Sequence, residues 1–198
     1  MAEDQINVEA VVNIIGDSDT ANVSEAVEKA NEVLKQAGIK IIAVKVNNPF
    51  NTGNNDANLT DAEGYDAADE GEDELDSVCG EGKGVKINIS NNVWIEKPQT
   101  NGWAIHRRPV VFVEPESDAN SMGKTIAHEI CHSFTIDYDL YDGNDPNNLM
   151  WGYTNRGTEL TDEQKEEIRR GAKKRVPGWW GRLWRRARRW ITKTGGDL

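Results

Sequence analysis

The apolar positions of the chain fall into runs whose period changes from segment to segment. "VEAVVNIIG" (8–16) is dense in valine and isoleucine and too short for a helix, so it predicts a strand. From Asn22 to Gly38 the spacing turns helical: Val27, Ala30, Val33, Leu34 and Ala37 share one face, and Gly38 offers a stop. "IKIIAVKVN" (39–47) returns to β-branched residues and predicts a buried strand. Strand, helix and strand with short joins predict a βαβ unit and a parallel pair. Two further strands are expected in "GVKINISNNVWI" (84–95), with Val85, Ile87 and Ile89 on one side, and in "GWAIHRRPVVFVE" (102–114). "SDANSMGKTIAHEICHSF" then sets Ile126, Ile130 and Phe134 on one helical stripe behind Asn120 or Ser121 as the cap. A capping box, Thr161-x-x-Gln164, opens a last helix, "DEQKEEIRRGAKKR", that Pro177 and Gly178 end.

Residues 51–84 follow neither period. Between Asp56 and Asp76 stand ten acidic residues and no basic one, and with so little to bury the segment is expected to be a long, solvated acidic loop. Its acid density makes calcium (Ca2+) a weak candidate, since no D-x-D-x-D-G spacing is present. Charge is split across the whole chain. Residues 1–164 carry 31 Asp and Glu against 11 Lys and Arg, residues 165–198 carry 3 against 12, and the net charge is −11. So acidic a body argues against nucleic acid as its main partner. No apolar run approaches the roughly 20 residues of a membrane span, and "MAEDQINVEA" has neither the basic start nor the apolar core of a secretory signal. Two cysteines, Cys79 and Cys131, leave the redox compartment open.

The candidate chemistry lies in "HEICH". His128 and His132 are four apart on the expected helix, so both imidazoles project from one face about a turn apart, a spacing that lets both grip one zinc ion. Glu129 follows the first histidine and is angled to reach a water on that ion. The competing view is that these side chains merely decorate a helix. Only three histidines exist in the chain, however, and two of them are here.

On these residues the chain resembles a metzincin-type zinc metallopeptidase. That family carries H-E-x-x-H-x-x-G-x-x-(H or D), followed by a tight turn with a methionine beneath the metal. His128, Glu129 and His132 match it residue for residue, Met150 in "NLMWG" is placed for the Met-turn, and the order of elements agrees over roughly residues 8–176. The resemblance implies an α+β, zincin-like fold: a mixed, largely parallel twisted sheet with a backing helix, an active-site helix, a Met-turn and a C-terminal helix. It implies a zinc-dependent endopeptidase acting on a protein or peptide substrate, with Zn2+ as cofactor, a metal-activated water and Glu129 as general base. It also favours a secreted or surface-acting protein.

The chain departs from the motif after His132. Thr135 replaces the glycine, and the third-ligand register falls on Tyr138, flanked by Asp137 and Asp139. A carboxylate binds zinc better than a neutral phenol, and one extra residue in the turn would bring Asp139 there. Asp139 is therefore the expected third ligand, with Tyr138 and Asp137 as alternatives. Tyr153 lies one residue beyond the place expected for an oxyanion partner and is left out of the site. By resemblance, the strand around 102–114 would form the upper rim of the cleft, where an extended peptide could add as a strand; His106 within it is expected at the surface. Cys131 is expected to be packing, with a Cys79–Cys131 disulfide, or Cys79 as a latency ligand of zinc, as alternatives.

The tail carries the second signal. In "WWGRLWRRARRWI" (179–191), Trp180, Leu183, Trp184, Ala187, Trp190 and Ile191 form one helical stripe, and Arg182, Arg185, Arg186, Arg188 and Arg189 take the other face. Indoles opposite guanidiniums suit an anionic membrane surface, although the same stripe could dock on the acidic body. The expected division is a peptidase domain over 1–176 and an amphipathic tail over 177–198. The alternative function is a membrane-active cationic binding protein whose metallopeptidase domain is degenerate.

Overall fold

The first strand, β1 (Ile6–Ile15), leads into α1 (Val23–Leu34), a 3₁₀ turn (Lys35–Ala37) and β2 (Ile39–Phe50), and the two strands pair in parallel. This is the βαβ unit that the period change predicts. Gly38 ends the helix in the left-handed region at φ 64°, where a side chain would be strained. The computed structural model describes residues 5–15, 22–50, 56–58, 83–94, 101–104, 109–135, 145–152 and 155–176. Further on come β3 (Asp56–Asn58), β4 (Val85–Ile89), β5 (Asn92–Trp94), β6 (Gly102–Ala104), β7 (Val110–Val113), α2 (Ala119–Phe134) and α3 (Asp162–Arg175).

Five strands make the main sheet in the order β2-β1-β4-β7-β6. All neighbours are parallel except β6, which runs antiparallel to β7 at one edge. One face of the sheet, with Val8, Ala10, Val12, Ile87 and Val111, shares a single core with the three described helices. Ile126, Ile130 and Phe134 enter that core from α2, as their spacing predicts. Gly123 on α2 lies where a Cβ would meet the Ala26 carbonyl oxygen of α1 at 2.8 Å, so its lack of a side chain is what brings these two helices together. The opposite face also excludes water: Asn13 donates to Asn88 at 3.1 Å, and Lys86 and Phe112 are fully buried. None of the described helices is long and apolar enough to cross a membrane.

Several local expectations need correction. β2 is an edge strand rather than a buried one, with Ile42, Val44 and Val46 exposed. Asn31 of α1 takes both backbone groups of Ile41, donating to its carbonyl at 3.0 Å and accepting from its N–H at 2.7 Å, which blocks part of an open edge. The segment 84–95 is not one strand but β4 and β5, and 102–114 divides into β6 and β7. Within the expected acidic loop, Asp56–Asn58 pairs with Asn92–Trp94 as a two-stranded sheet; the remainder of 51–82 lies outside the described residues. The cap of α2 is Asp118, whose carboxylate accepts from the Asn120 and Ser121 N–H groups at 3.2 and 2.9 Å, earlier than the expected Asn120 or Ser121.

Candidate metal centre

α2 carries the histidine pair. The Nε2 atoms of His128 and His132 converge to 3.1 Å, with the rings nearly perpendicular at 84°. Two nitrogens held tetrahedrally by one zinc at 2.0–2.1 Å stand about 3.3 Å apart, so the donors need almost no movement to share an ion. His128 donates from Nδ1 to the Leu149 carbonyl at 2.8 Å, which fixes the ring and leaves Nε2 as the lone-pair donor. Burial holds the His128 imidazole well below its usual pKa, helped by His132 and Arg156 and opposed by the Leu149 carbonyl. A neutral imidazole is the form that binds a metal. The two histidines fit zinc in type and spacing.

Among the described residues no group of three or more His, Cys, Asp or Glu side chains surrounds a common point. Asp139, Tyr138 and Asp137 lie outside the described residues, as do Tyr153, His106 and Cys79. α2 ends at Phe134, and Thr135 leaves it in extended backbone, φ −96° and ψ 150°, with its hydroxyl donating to the His132 carbonyl at 3.1 Å. A β-branched residue is at ease there. The chain thus leaves the helix without the left-handed turn that a glycine in this place would allow.

Glu129 is buried, and desolvation pushes its carboxyl up to about 8, against the pull of the Arg156 guanidinium. Its Oε1 lies 3.9 Å from His128 Nε2, close enough to act on a group bound at the histidines. β6 passes directly over it. A Cβ on Gly102 would fall 2.8 Å from Glu129 Cγ and 2.7 Å from Thr125 Cγ2, so only a glycine lets the edge strand approach this closely. Thr125 donates to Glu116 at 2.9 Å, and the Glu116 carboxyl is raised chiefly by burial. Arg156, buried and electrostatically coupled to both Glu129 and Glu116, balances these carboxylates. Neither Gly102 nor Arg156 carries a motif that sequence reasoning could have used.

Met150 is completely buried, in a turn that presses against α2 through the Leu149 carbonyl. The turn is held from behind by the segment leading to α3: Leu149 N–H donates to the Glu159 carbonyl at 2.7 Å, and Gly157 N–H to the Pro146 carbonyl at 2.8 Å. Gly157 backs directly onto the Asn147 backbone, where a side chain would collide. Cys131 is a free thiol, fully buried in the core with its pKa raised by burial, as the packing interpretation expects, and it forms no disulfide.

The same fold occurs in solved zinc peptidases. Archaemetzincin from Methanopyrus kandleri superposes with a TM-score of 0.54 at 15% identity, over 87% of this chain and 99% of that one. A zinc-dependent peptidase from Methanocorpusculum labreanum gives 0.56 at 11% identity, over 80% of this chain and 99% of the other. Archaemetzincin from Archaeoglobus fulgidus, solved with malonate, gives 0.50 at 12% identity, over 81% and 99%. No protein-family model matches the sequence, and no curated protein matches it either. The chain is thus similar to archaemetzincins in fold, an α+β zincin-like architecture, in agreement with the metzincin resemblance of its motif.

Proposed function

We propose that the chain is a zinc-dependent endopeptidase hydrolysing peptide bonds of a protein or peptide substrate. The observation that carries this is the meeting of two imidazole nitrogens 3.1 Å apart, with a buried carboxylate beside them, in a fold shared with zinc peptidases. His128 and His132 would hold the metal with Asp139 as third ligand. When bound, zinc supplies Lewis acidity, acidifying water and polarising the scissile carbonyl. Glu129 acts as general base, taking the proton of the attacking water and passing it to the leaving amine. Its buried carboxyl, with Oε1 3.9 Å from His128 Nε2, is the group placed to reach that proton. β6, an edge strand of the described sheet directly above Glu129, would pair with an extended substrate and set the scissile bond near the base. Residues 1–176 form the peptidase domain in this proposal, and 179–191 take the enzyme to an anionic surface.

The test is zinc content per chain after metal stripping and reloading, measured beside Glu129→Ala and Asp139→Ala. About one zinc per chain is expected, retained in Glu129→Ala with hydrolysis lost, and weakened in Asp139→Ala. A parent protein that takes up no stoichiometric zinc would overturn the peptidase proposal in favour of a membrane-active binding protein with a degenerate site.

A further inference from the structure

The Leu149–Met150 peptide unit is held at both of its polar atoms. Its carbonyl accepts from His128 Nδ1–H at 2.8 Å, and its N–H donates to Asn148 Oδ1 at 2.7 Å. In a planar trans peptide these two groups point in opposite directions from one rigid plate. Whatever fixes the N–H therefore aims the carbonyl, and the carbonyl orients the imidazole. Asn148 is itself locked by Gln164 of α3: Asn148 Nδ2 donates to Gln164 Oε1 at 2.9 Å, and Gln164 Nε2 donates back to Asn148 Oδ1 at 3.3 Å. Both side chains are buried, Asn148 2% and Gln164 5% exposed, so water does not compete for these bonds.

Gln164 also closes the capping box of α3, accepting from Thr161 N–H at 2.9 Å while its own N–H reaches Thr161 Oγ1 at 3.2 Å. A glutamate would serve that cap as well and would suit the helix N-terminus better. Only an amide, however, can accept from Asn148 and donate to it at once. The exchange with Asn148 is a second task, separate from capping.

We propose that Gln164 and Asn148 are positioning residues for the metal ligand His128, acting through the Leu149–Met150 peptide. This rests on the zinc site proposed above. It predicts that the start of the C-terminal helix and the metal are coupled, although Gln164 touches neither His128 nor its ion.

The experiment loads the full chain with zinc alone, or with cobalt(II) alone, and compares Gln164→Leu, Gln164→Glu and Thr161→Ala with the parent. Zinc affinity is read by chelator competition and ligand geometry by the visible cobalt(II) spectrum. Gln164→Leu should weaken zinc about 10- to 100-fold, as loss of outer-shell support does, and shift the cobalt bands. Gln164→Glu keeps both accepted bonds, should fold, and should weaken zinc by a smaller but measurable factor. Thr161→Ala disturbs the cap alone, so it should lower the melting temperature and leave affinity and spectrum at parent values. Parent-like zinc binding and spectrum in both Gln164 variants overturn the coupling, and so does Thr161→Ala weakening zinc as much as Gln164→Leu. A parent that binds neither ion overturns the zinc site itself, and the coupling with it.

Discussion

At the scale of single residues, the strongest constraint on the proposed chemistry is a missing side chain. Gly102 sits where a Cβ would press on Glu129 Cγ and Thr125 Cγ2, and both of these belong to the face of α2 that carries the base. Gly102→Ala must therefore push the carboxylate aside or lift β6. A displacement of about 1 Å in a catalytic group can cost on the order of 100-fold in rate. We expect kcat/KM to fall about 10- to 100-fold with zinc per chain unchanged, because the atoms nearest the new methyl group belong to Glu129 and Thr125 rather than to a histidine. Full activity in this variant would show that β6 yields without moving the base. His128, Glu129 and His132 were legible from sequence because one helical turn suffices to bring them together. Gly102, Arg156 and the Leu149 carbonyl were not, since each reaches the site only through the folding of distant segments. Asp118 was missed as a cap for a smaller reason: three neighbouring polar residues could each have served, and backbone geometry chose among them.

At the scale of elements, the site depends on how α3 meets the end of α2. Gly171 of α3 lies against the Phe134 backbone, where a Cβ would collide with the carbonyl oxygen. Backbone, unlike a flexible side chain, cannot swing away, so Gly171→Ala has to separate the helices. Overpacking of this kind costs about 2–3 kcal/mol, which in a protein of this size lowers the melting temperature by roughly 5–10 °C. Differential scanning calorimetry of the variant would check it, and an unchanged midpoint would mean the helices are not held at this contact. The helices were read correctly because a 3.6-residue period and a capping box are local signals. The strands were read too long. Alternation continues through Ser90, but a strand ends where its neighbour ends, and that is set by pairing rather than pattern. β2 misled in the same way: its run of isoleucine and valine predicts burial, yet its place at the sheet edge leaves three of them exposed.

At the scale of the whole molecule, the proposed peptidase domain and the tail should be separable. The last turn of α3 is fastened to the approach to β4, with Gly84 N–H donating to the Arg175 carbonyl at 2.8 Å and Lys83 Nζ to the Lys174 carbonyl at 2.7 Å. Val176 packs against the core just beyond. A chain ending at Val176 thus keeps every contact of α3 described above. The tail, 177–198, lies outside the described residues, and its amphipathic pattern is known from sequence alone. Each arginine near an anionic bilayer contributes about 1 kcal/mol, an attraction that salt screens, and the indoles add an interfacial anchor. Deleting 177–198 is expected to abolish co-sedimentation with phosphatidylserine vesicles while leaving zinc content and peptide hydrolysis at parent values. In the parent, vesicle binding should weaken as salt rises and be slight on neutral vesicles. If the tail instead docks on the acidic body, the parent will ignore vesicles and the deletion will lower the melting temperature. Vesicle binding that survives the deletion would place membrane affinity elsewhere in the chain.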